Sequence, residues 1–270
     1  MKLGAMNHPL RDPIEEIAWI GTHDFDFVDF TLEPPATPPH QVDVAAVRDE
    51  LDRHGLDVVG HTAWYMPIGF PLAELRRTSL DHLRECLDVS AAIGARVMNT
   101  HYSKPPKPFR NADAIGWHVE VLGLLCAETA DRDMQIVLEH IPFGGADQLE
   151  TIAEIMRQLP ALGFHLDSGH AKLERSEDRF DEYLDRLGHR LWHVHISEND
   201  GTEDQHLPPG AAPKSRTDWP ARIARLKDSG YDSTITLEVF ADHREYLLVA
   251  RDLFRQWWDA AGVPAAVTHV

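Results

Sequence analysis

The chain has 270 residues, of which 43% are hydrophobic and 26% charged, so its size and composition fit one globular domain and exclude a disordered or fibrous chain. The formal net charge of -18 weighs against nucleic acid as a partner, because nonspecific affinity for phosphates comes from cationic side chains. The first residues lack a basic start followed by an apolar run, and no stretch is apolar for long enough to span a bilayer. A cytoplasmic protein without a membrane partner is therefore expected.

Short apolar runs rich in β-forming residues alternate with longer helical patterns along the whole sequence. The eight runs cover residues 2–8, 25–32, 56–62, 96–102, 135–141, 162–168, 191–197 and 234–240. Such alternation is typical of βα units around a parallel sheet. Eight units close a barrel more naturally than an open sheet, so we predict one (β/α)8 TIM barrel domain over residues 1–270, with its active site at the C-terminal ends of the strands.

Helix boundaries and loops carry their own signals. Asp12, Pro13 and Glu15 have the spacing of an N-cap, a first-turn proline and a capping-box glutamate. Four glycines close helical patterns, as left-handed C-caps would: Gly21, Gly55, Gly94 and Gly188. Three proline-rich segments directly follow predicted strands and are expected to be βα loops on the catalytic face: 31–40, 102–109 and 206–213.

The two cysteines limit thiol chemistry. Cys86 and Cys126 both fall in predicted helices, where the simplest interpretation is a buried small hydrophobic side chain. Neither a disulfide framework nor a thiolate zinc site can be built from them.

Six ionisable residues occupy the last positions of predicted strands. They are His61, His101, Glu139, Asp167, His195 and Glu238. Because side chains alternate faces along a strand, Leu138 and Leu166 point toward the helices and the neighbouring acids toward the barrel axis. Several carboxylates buried together are costly without cations, so we predict a divalent metal at the barrel mouth.

Two pairs strengthen this prediction. Asp167 and His170 are spaced i, i+3 in the turn after the sixth strand, and Asp204 and His206 form an Asp-x-His arrangement after the seventh. Imidazole and carboxylate ligands without sulfur suit Zn, Mn, Fe or Co better than Ca. A single histidine at a strand end is more often structural than a ligand. The prediction of a metal site therefore depends on six ionisable residues that all lie at the C-terminal ends of predicted strands.

Other polar residues near the strand ends have simpler interpretations. His165 and His193 precede Asp167 and His195 by two residues, so we expect them to be packed, hydrogen-bonded support one layer deeper. Three acids near the second strand are interpreted as ordinary loop and helix-facing charges: Asp24, Asp26 and Asp29.

Four segments carry a family resemblance: GHT at 60–62, LDSGHA at 166–171, VHISENDG at 194–201 and LEVF at 237–240. With the strand-end residues, they resemble the xylose isomerase-like barrel superfamily, which includes sugar isomerases and epimerases and the endonuclease IV type of DNA repair enzyme (AP endonuclease family 2). The segments are most similar to members described as sugar phosphate isomerase/epimerase. Gly201 stands where ketose epimerases of this superfamily place an arginine, so the resemblance leaves the substrate open.

The resemblance implies two alternative ligand sets. In the endonuclease branch nine residues hold three zinc ions, and the matching positions are His61, His101, Glu139, Asp167, His170, His195, Asp204, His206 and Glu238. In the sugar branch a smaller set holds one metal, and its counterparts are Glu139, Asp167, His195 and Glu238. One to three ions, zinc or manganese, are thus implied.

The first functional hypothesis is isomerisation or epimerisation of a small sugar or polyol, which would be the protein's small-molecule partner in carbohydrate metabolism. The metal would stabilise an enediolate, with Glu139 and Glu238 as catalytic base and acid. Five residues would then bind substrate: His61, Trp64, His101, Lys104 and His170.

The alternative is phosphodiester hydrolysis at a trinuclear centre, for which His61, His101, His170, Asp204 and His206 would recruit the additional ions. A related sugar lyase or dehydratase would use the same enolate chemistry and then expel a hydroxyl group. A binding module without catalysis is the remaining alternative, and the intact ligand set argues against it. The sequence leaves a homo-oligomer open.

Overall fold

The strands form a closed parallel barrel. The protein is represented by a computed structural model that describes residues 1–145, 147–173, 178–212 and 217–262. Neighbouring strands pair in chain order and β8 pairs with β1. The strands are β1 (Lys2–Met6), β2 (Phe27–Leu32), β3 (Asp57–Thr62), β4 (Val97–His101), β5 (Gln135–Glu139), β6 (Gly163–Asp167), β7 (Leu191–Ile196) and β8 (Thr234–Leu237). Each predicted run contains one strand, so the predicted barrel is confirmed.

Helices fill the connections between strands. They are α1 (Pro13–Gly21), α2 (Val44–His54), α3 (Ala73–Ile93), α4 (Asn111–Thr129), α5 (Gln148–Gln158), α6 (Ser168–Lys172), α7 (Phe180–Leu187), α8 (Trp219–Asp228) and α9 (Glu245–Ala260). None of the helices within the described residues is long and apolar enough to cross a membrane. Two predictions reach beyond the described residues. The predicted domain 1–270 includes residues 263–270, and the proline-rich segment 206–213 includes Pro213, all of which lie outside the described residues.

Helix ends follow the cap signals at some positions and not at others. Asp12 accepts hydrogen bonds from the backbone N–H groups of two residues in the first turn of α1, as an N-cap should. Gly55 and Gly94 have φ of 65° and 97° and are the predicted left-handed C-caps of α2 and α3.

The other two glycine predictions are wrong. Gly21 lies inside α1, where a Cβ would come within 2.4 Å of the His54 ring, so close packing explains this glycine. Gly188 has φ of -57° because the chain continues into a right-handed 3-10 turn, Gly188–Arg190.

The apolar core has two parts. Outward-facing strand residues such as Phe30, Leu138 and Leu166 are buried against the helices, together with Cys86 and Cys126. A smaller cluster fills the N-terminal end of the barrel interior: Phe27, Val59, Val97 and Val137. Because residues two apart share a strand face, the same strands present polar side chains at the C-terminal end. The fold therefore closes one end of the barrel with hydrocarbon and lines the other with ionisable groups.

Candidate metal centre at the barrel mouth

A central set of three carboxylates surrounds one imidazole nitrogen. His195 Nδ1 lies 3.0 Å from Glu238 Oε2, 3.7 Å from Asp167 Oδ2 and 4.0 Å from Glu139 Oε1. Glu139 and Asp167 end β5 and β6, His195 lies in β7, and Glu238 directly follows β8. Barrel closure thus brings together the four residues that the sequence predicted as the core ligand set.

Two further clusters flank this set. On one side, His101 Nε2 lies 3.2 Å from His61 Nε2 and 3.0 Å from Glu139 Oε2. On the other side, Asp204 Oδ2 lies 3.2 Å from the Nε2 atoms of both His170 and His206. All nine positions implied by the endonuclease branch therefore converge on one mouth.

The geometry suits divalent ions. A tetrahedral ion with ligand bonds of about 2.0 Å holds its ligand atoms roughly 3.3 Å apart, and the closest separations in each cluster are 3.0–3.2 Å. Asp167 Oδ2 and Asp204 Oδ1 are buried and have no hydrogen-bond partner. Orphaned carboxylate oxygens beside imidazoles are the groups that a cation would satisfy. The residues present thus fit one to three ions.

A cavity of about 430 Å³ opens above the clusters. Glu33, His61, His101 and Glu238 contribute to its wall, and Trp64 lies at its edge with 63% of its surface exposed. The lining within the described residues contains neither lysine nor arginine.

Lys104 is the predicted substrate-binding residue that does not line this cavity, unlike His61, Trp64, His101 and His170. It is exposed, and its Nζ donates a hydrogen bond to the backbone carbonyl of Phe143 at 2.8 Å. Its predicted contact with substrate stays a prediction.

Carboxylates control the protonation of the mouth histidines. Burial alone lowers a histidine pKa, but Glu238, Glu139 and Asp29 reverse this effect and raise the pKa of His195 well above its usual value. The same competition raises the pKa of His170, mainly through Asp167, and that of His206, mainly through Glu238. Without a bound ion, the imidazoles of His195, His170 and His206 therefore carry protons at the positions where an ion would bind.

The pKa values of two carboxylates at the mouth, Glu139 and Glu238, shift in the opposite direction. Burial raises the pKa of Glu139 and of Glu238, but the surrounding histidines outweigh it and hold both pKa values well below the usual range. Both side chains are therefore ionised at neutral pH.

Several supporting residues lie one layer deeper. His193 and His165 are fully buried there, as predicted, and His193 Nδ1 lies 2.7 Å from Thr234 Oγ1. His165 Nδ1 lies 3.2 Å from Glu139 Oε2, but neither ring nitrogen of His165 makes a hydrogen bond to a described residue, so the predicted hydrogen bonding is wrong for this residue. Asn99, which sequence reasoning missed, donates a hydrogen bond to Glu139 Oε2 at 2.5 Å. Its signal was available, because it precedes His101 by two residues and shares its face.

The interpretation of Asp29 as an ordinary charge is wrong. Asp29 is fully buried in the barrel interior, and its Oδ2 lies 2.8 Å from His195 Nε2. Asp24, in contrast, is an exposed residue that pairs with Arg255. The sequence did contain a signal for an interior carboxylate that was missed: Asp29 lies between Val28 and Phe30 in a strand, two residues after the inward-facing Phe27 and therefore on the same face.

Comparison with known proteins shows the family to which this barrel belongs. A family profile described as xylose isomerase-like TIM barrel matches residues 17–259. A crystal structure of a D-tagatose 3-epimerase-like protein superimposes with a TM-score of 0.83 and 21% identity, covering 97% of this chain and 98% of the other. At this identity the likeness concerns the fold.

Two of the sequence relatives are 25% and 26% identical to this chain. An uncharacterized protein of Methanocaldococcus jannaschii is 25% identical over 195 residues, which are 69% of this chain and 66% of that protein. A ketose 3-epimerase of Arthrobacter globiformis is 26% identical over 241 residues, which are 86% of this chain and 77% of the enzyme. The match spans between 52% and 66% of the length of the first three curated relatives.

Proposed function

Because the chain belongs to the xylose isomerase-like TIM barrel family, we propose that it is a divalent-metal-dependent isomerase or epimerase that acts on a small uncharged sugar or polyol. The observation that carries the proposal is the convergence of Glu139, Asp167 and Glu238 on His195 Nδ1 within 4.0 Å, at the base of a cavity of sugar-accommodating size. The ketose 3-epimerase relative supports the same class of reaction.

Glu139 and Glu238 are assigned the proton transfers. An ion held by the central set would polarise a substrate carbonyl and its neighbouring hydroxyl and so acidify the C–H bond beside them. Both glutamates are ionised, so either can accept that proton and return it to a carbon. Their oxygens lie 4.0 and 3.0 Å from His195 Nδ1, and the two residues come from β5 and from the end of β8, three strands apart around the barrel. This separation suits proton removal by one glutamate and delivery by the other.

The cavity wall favours an uncharged substrate. Glu33, Asp204 and Glu238 line it, and its described lining has no lysine or arginine to pair with a phosphate or carboxylate. His170 and His206 also line it, but both are paired with Asp204 at 3.2 Å. The imidazoles of His61 and His101 also reach this wall and provide hydrogen-bonding groups for hydroxyls.

Hydrogen exchange at carbon tests the proposed reaction. The protein, stripped with a chelator and reloaded with Mn²⁺ or Zn²⁺, is incubated with a panel of ketoses, aldoses and polyols in deuterium oxide. We expect ion-dependent incorporation of deuterium into at least one sugar, detected by NMR together with the epimer or isomer. The variant Glu238→Gln should lose this incorporation, whereas Glu154→Gln, on the outside of α5, should keep it. No exchange at carbon with any ion or sugar would overturn the proposal.

A trinuclear phosphodiester hydrolase is the second candidate. The two flanking clusters, His61 with His101 and His170 with Asp204 and His206, favour it, since a single-ion enzyme needs only the central set. The net charge of -18 and the absence of lysine and arginine from the described cavity lining oppose binding of a nucleic-acid backbone.

Metal content and cleavage distinguish the two candidates. One ion per chain by mass spectrometry of metals, with no cleavage of an oligonucleotide containing an abasic site, supports the sugar enzyme. Three ions per chain and cleavage that His206→Ala abolishes support the hydrolase. A lyase or dehydratase would be recognised in the sugar assay by a product lighter by one water.

A further inference from the structure

Asp29 lies directly beneath the central ligand set. Three groups from two strands approach its Oδ2: His195 Nε2 at 2.8 Å, His193 Nε2 at 3.0 Å and the Thr236 hydroxyl at 2.8 Å. All four side chains are fully buried. Because three hydrogen-bonding groups surround this one oxygen and the Thr236 hydroxyl donates to it, Oδ2 acts as an acceptor, as the oxygen of a carboxylate does.

A hydrogen-bond acceptor at this position fixes one proton of His195. Because Asp29 Oδ2 cannot donate, the hydrogen between it and His195 must reside on Nε2. An ion bound beside Nδ1 would replace the proton that this nitrogen shares with Glu238. The imidazole would then be neutral with its one N–H group on Nε2, and the Nδ1 lone pair would face the ion between Glu238 and Asp167, whose oxygens lie 3.0 and 3.7 Å away. Nδ1 is thus the atom that faces the ion position.

The same carboxylate also lies behind a neighbouring imidazole. Asp29 Oδ1 lies 3.6 Å from His61 Nδ1, which is too long for a hydrogen bond, and both atoms are buried without a hydrogen-bond partner. His61 Nε2 faces His101 on the other side of its ring. One carboxylate is therefore placed behind one histidine of the central set and one histidine of a flanking cluster.

A deeper ion site is the competing interpretation of these histidines. His165, His193 and His195 have ring nitrogens close enough together to bind an ion. However, both nitrogens of His193 already have hydrogen-bonding partners, Thr234 and Asp29, and His195 Nε2 has Asp29. The contacts thus favour a hydrogen-bonded support over a second ion.

We propose that Asp29 is a positioning residue that holds His195 with its proton on Nε2 and its Nδ1 lone pair directed at the bound ion. This inference rests on the proposed metal centre and is independent of the reaction carried out there. Carboxylates behind metal-binding histidines fix the tautomer and the ring orientation and strengthen the imidazole as a ligand.

The tautomer of His195 in the wild-type protein is the first test. Two-bond ¹H–¹⁵N correlation spectra of histidine-labelled, zinc-loaded protein, assigned with His195→Gln, should show His195 protonated on Nε2. A proton on Nδ1 in the loaded protein would overturn the proposal. This measurement requires no variant of Asp29 and no turnover.

The variant Asp29→Asn is the second test. It keeps the size of the side chain and removes its charge, so we expect ion affinity, measured by competition with a chromophoric chelator, to fall by about 10- to 100-fold. The matched control Thr236→Val removes one donor from the same oxygen and leaves the carboxylate, so its affinity should stay within about threefold of wild type. Equal affinity of Asp29→Asn and wild type, with both folded by circular dichroism, would contradict the proposal.

These readouts separate the inference from the proposed function. A loaded protein that fails to exchange hydrogen on every sugar contradicts the sugar enzyme, whereas the tautomer and the affinity ratio still decide the role of Asp29. Loss of one whole ion per chain in His193→Gln, with the central ion retained, would instead establish the deeper ion site and overturn the assignment.

Discussion

Two regions of the molecule bury histidines completely and give them opposite properties. His118, on α4, is fully buried beneath the loop after β4, and burial lowers its pKa to about 4. His195, at the barrel mouth, is equally buried, but Glu238, Glu139 and Asp29 overcome the burial and raise its pKa. Burial alone therefore makes a histidine a neutral structural residue, whereas carboxylates that converge on a buried histidine make it a site for a cation.

The hydrogen bonds of the two histidines show the same contrast. His118 uses Nδ1 toward the Ala114 carbonyl at 2.9 Å and Nε2 toward the Ser103 backbone N–H at 3.1 Å. Both nitrogens are satisfied by neutral backbone groups, and the ring stacks on Tyr102. His195 has ionised oxygens on both sides instead.

Removing a carboxylate from the mouth should have the largest effect. Glu139→Gln keeps the shape of the side chain and removes both a proposed base and a partner of His101, so turnover should fall by about 10²- to 10⁴-fold with a parallel loss of bound ion. Steady-state kinetics and metal content measure this. Full activity with full metal content in Glu139→Gln would contradict this role, because the carboxylate would then be dispensable for cation binding at the mouth.

The stability of the metal-free protein should depend on His118 as pH falls. The pKa of His118 is about 4 in the folded protein and about 6.5 in the unfolded chain, so the unfolded chain takes up the proton first as pH falls. The contribution of His118 to the free energy of unfolding is therefore fully present above about pH 6.5 and is lost toward pH 4. The difference in free energy of unfolding between wild type and His118→Gln should shrink by about 3 kcal/mol over that range. Urea unfolding at several pH values measures it, with the exposed His40→Gln as control. A difference independent of pH would contradict the assignment.

Crowding the His118 pocket should have a smaller effect. A Cβ at Gly69 would lie 2.1 Å from His118 Cε1 and 2.3 Å from the Ser103 carbonyl oxygen, so Gly69→Ala should lower the free energy of unfolding by about 1–3 kcal/mol. Gly116, on α4, has open space at the same position, so Gly116→Ala should be neutral or stabilising by up to about 1 kcal/mol. Equal thermal unfolding of the two variants would disprove the tight packing around His118.

An exposed residue at the mouth should have the smallest effect. Trp64 is 63% exposed at the cavity edge, so Trp64→Ala should raise KM by about 2- to 10-fold through lost aromatic contact with substrate and should leave thermal stability unchanged. Trp192, 45% exposed at the opposite end of the barrel, serves as the control, and Trp192→Ala should leave KM unchanged. An unchanged KM in Trp64→Ala would remove this residue from the predicted substrate contacts.

The positions of the mouth residues could be predicted from the sequence because their signal is repeated, whereas their roles as ligands and catalysts stay predictions. His61, His101 and Glu139 each lie at or near the end of a strand, and packing alone does not require a polar residue at the same point of successive βα units. The fold followed from the same repetition.

The deeper layer was harder to predict because it depends on which face of each strand points inward. Asp29 sits in mid-strand, and its partners His193 and Thr236 are 164 and 207 residues away in sequence. Only barrel closure places β2 across from β7 and β8. The position of Lys104 likewise depends on a loop contact with Phe143 that no periodicity encodes.

The spread of the mouth residues over the strands links ion binding to the integrity of the whole barrel. Seven of the eight strands contribute a side chain at or beneath the mouth, in or directly after β2 to β8: Asp29, His61, His101, Glu139, Asp167, His195 and Glu238. The complete set of these side chains comes together only in the closed barrel, so an ion bound by it would bind the folded barrel and no smaller group of βα units. Its binding would therefore stabilise the barrel as one cooperative unit and slow amide hydrogen exchange in these seven strands together.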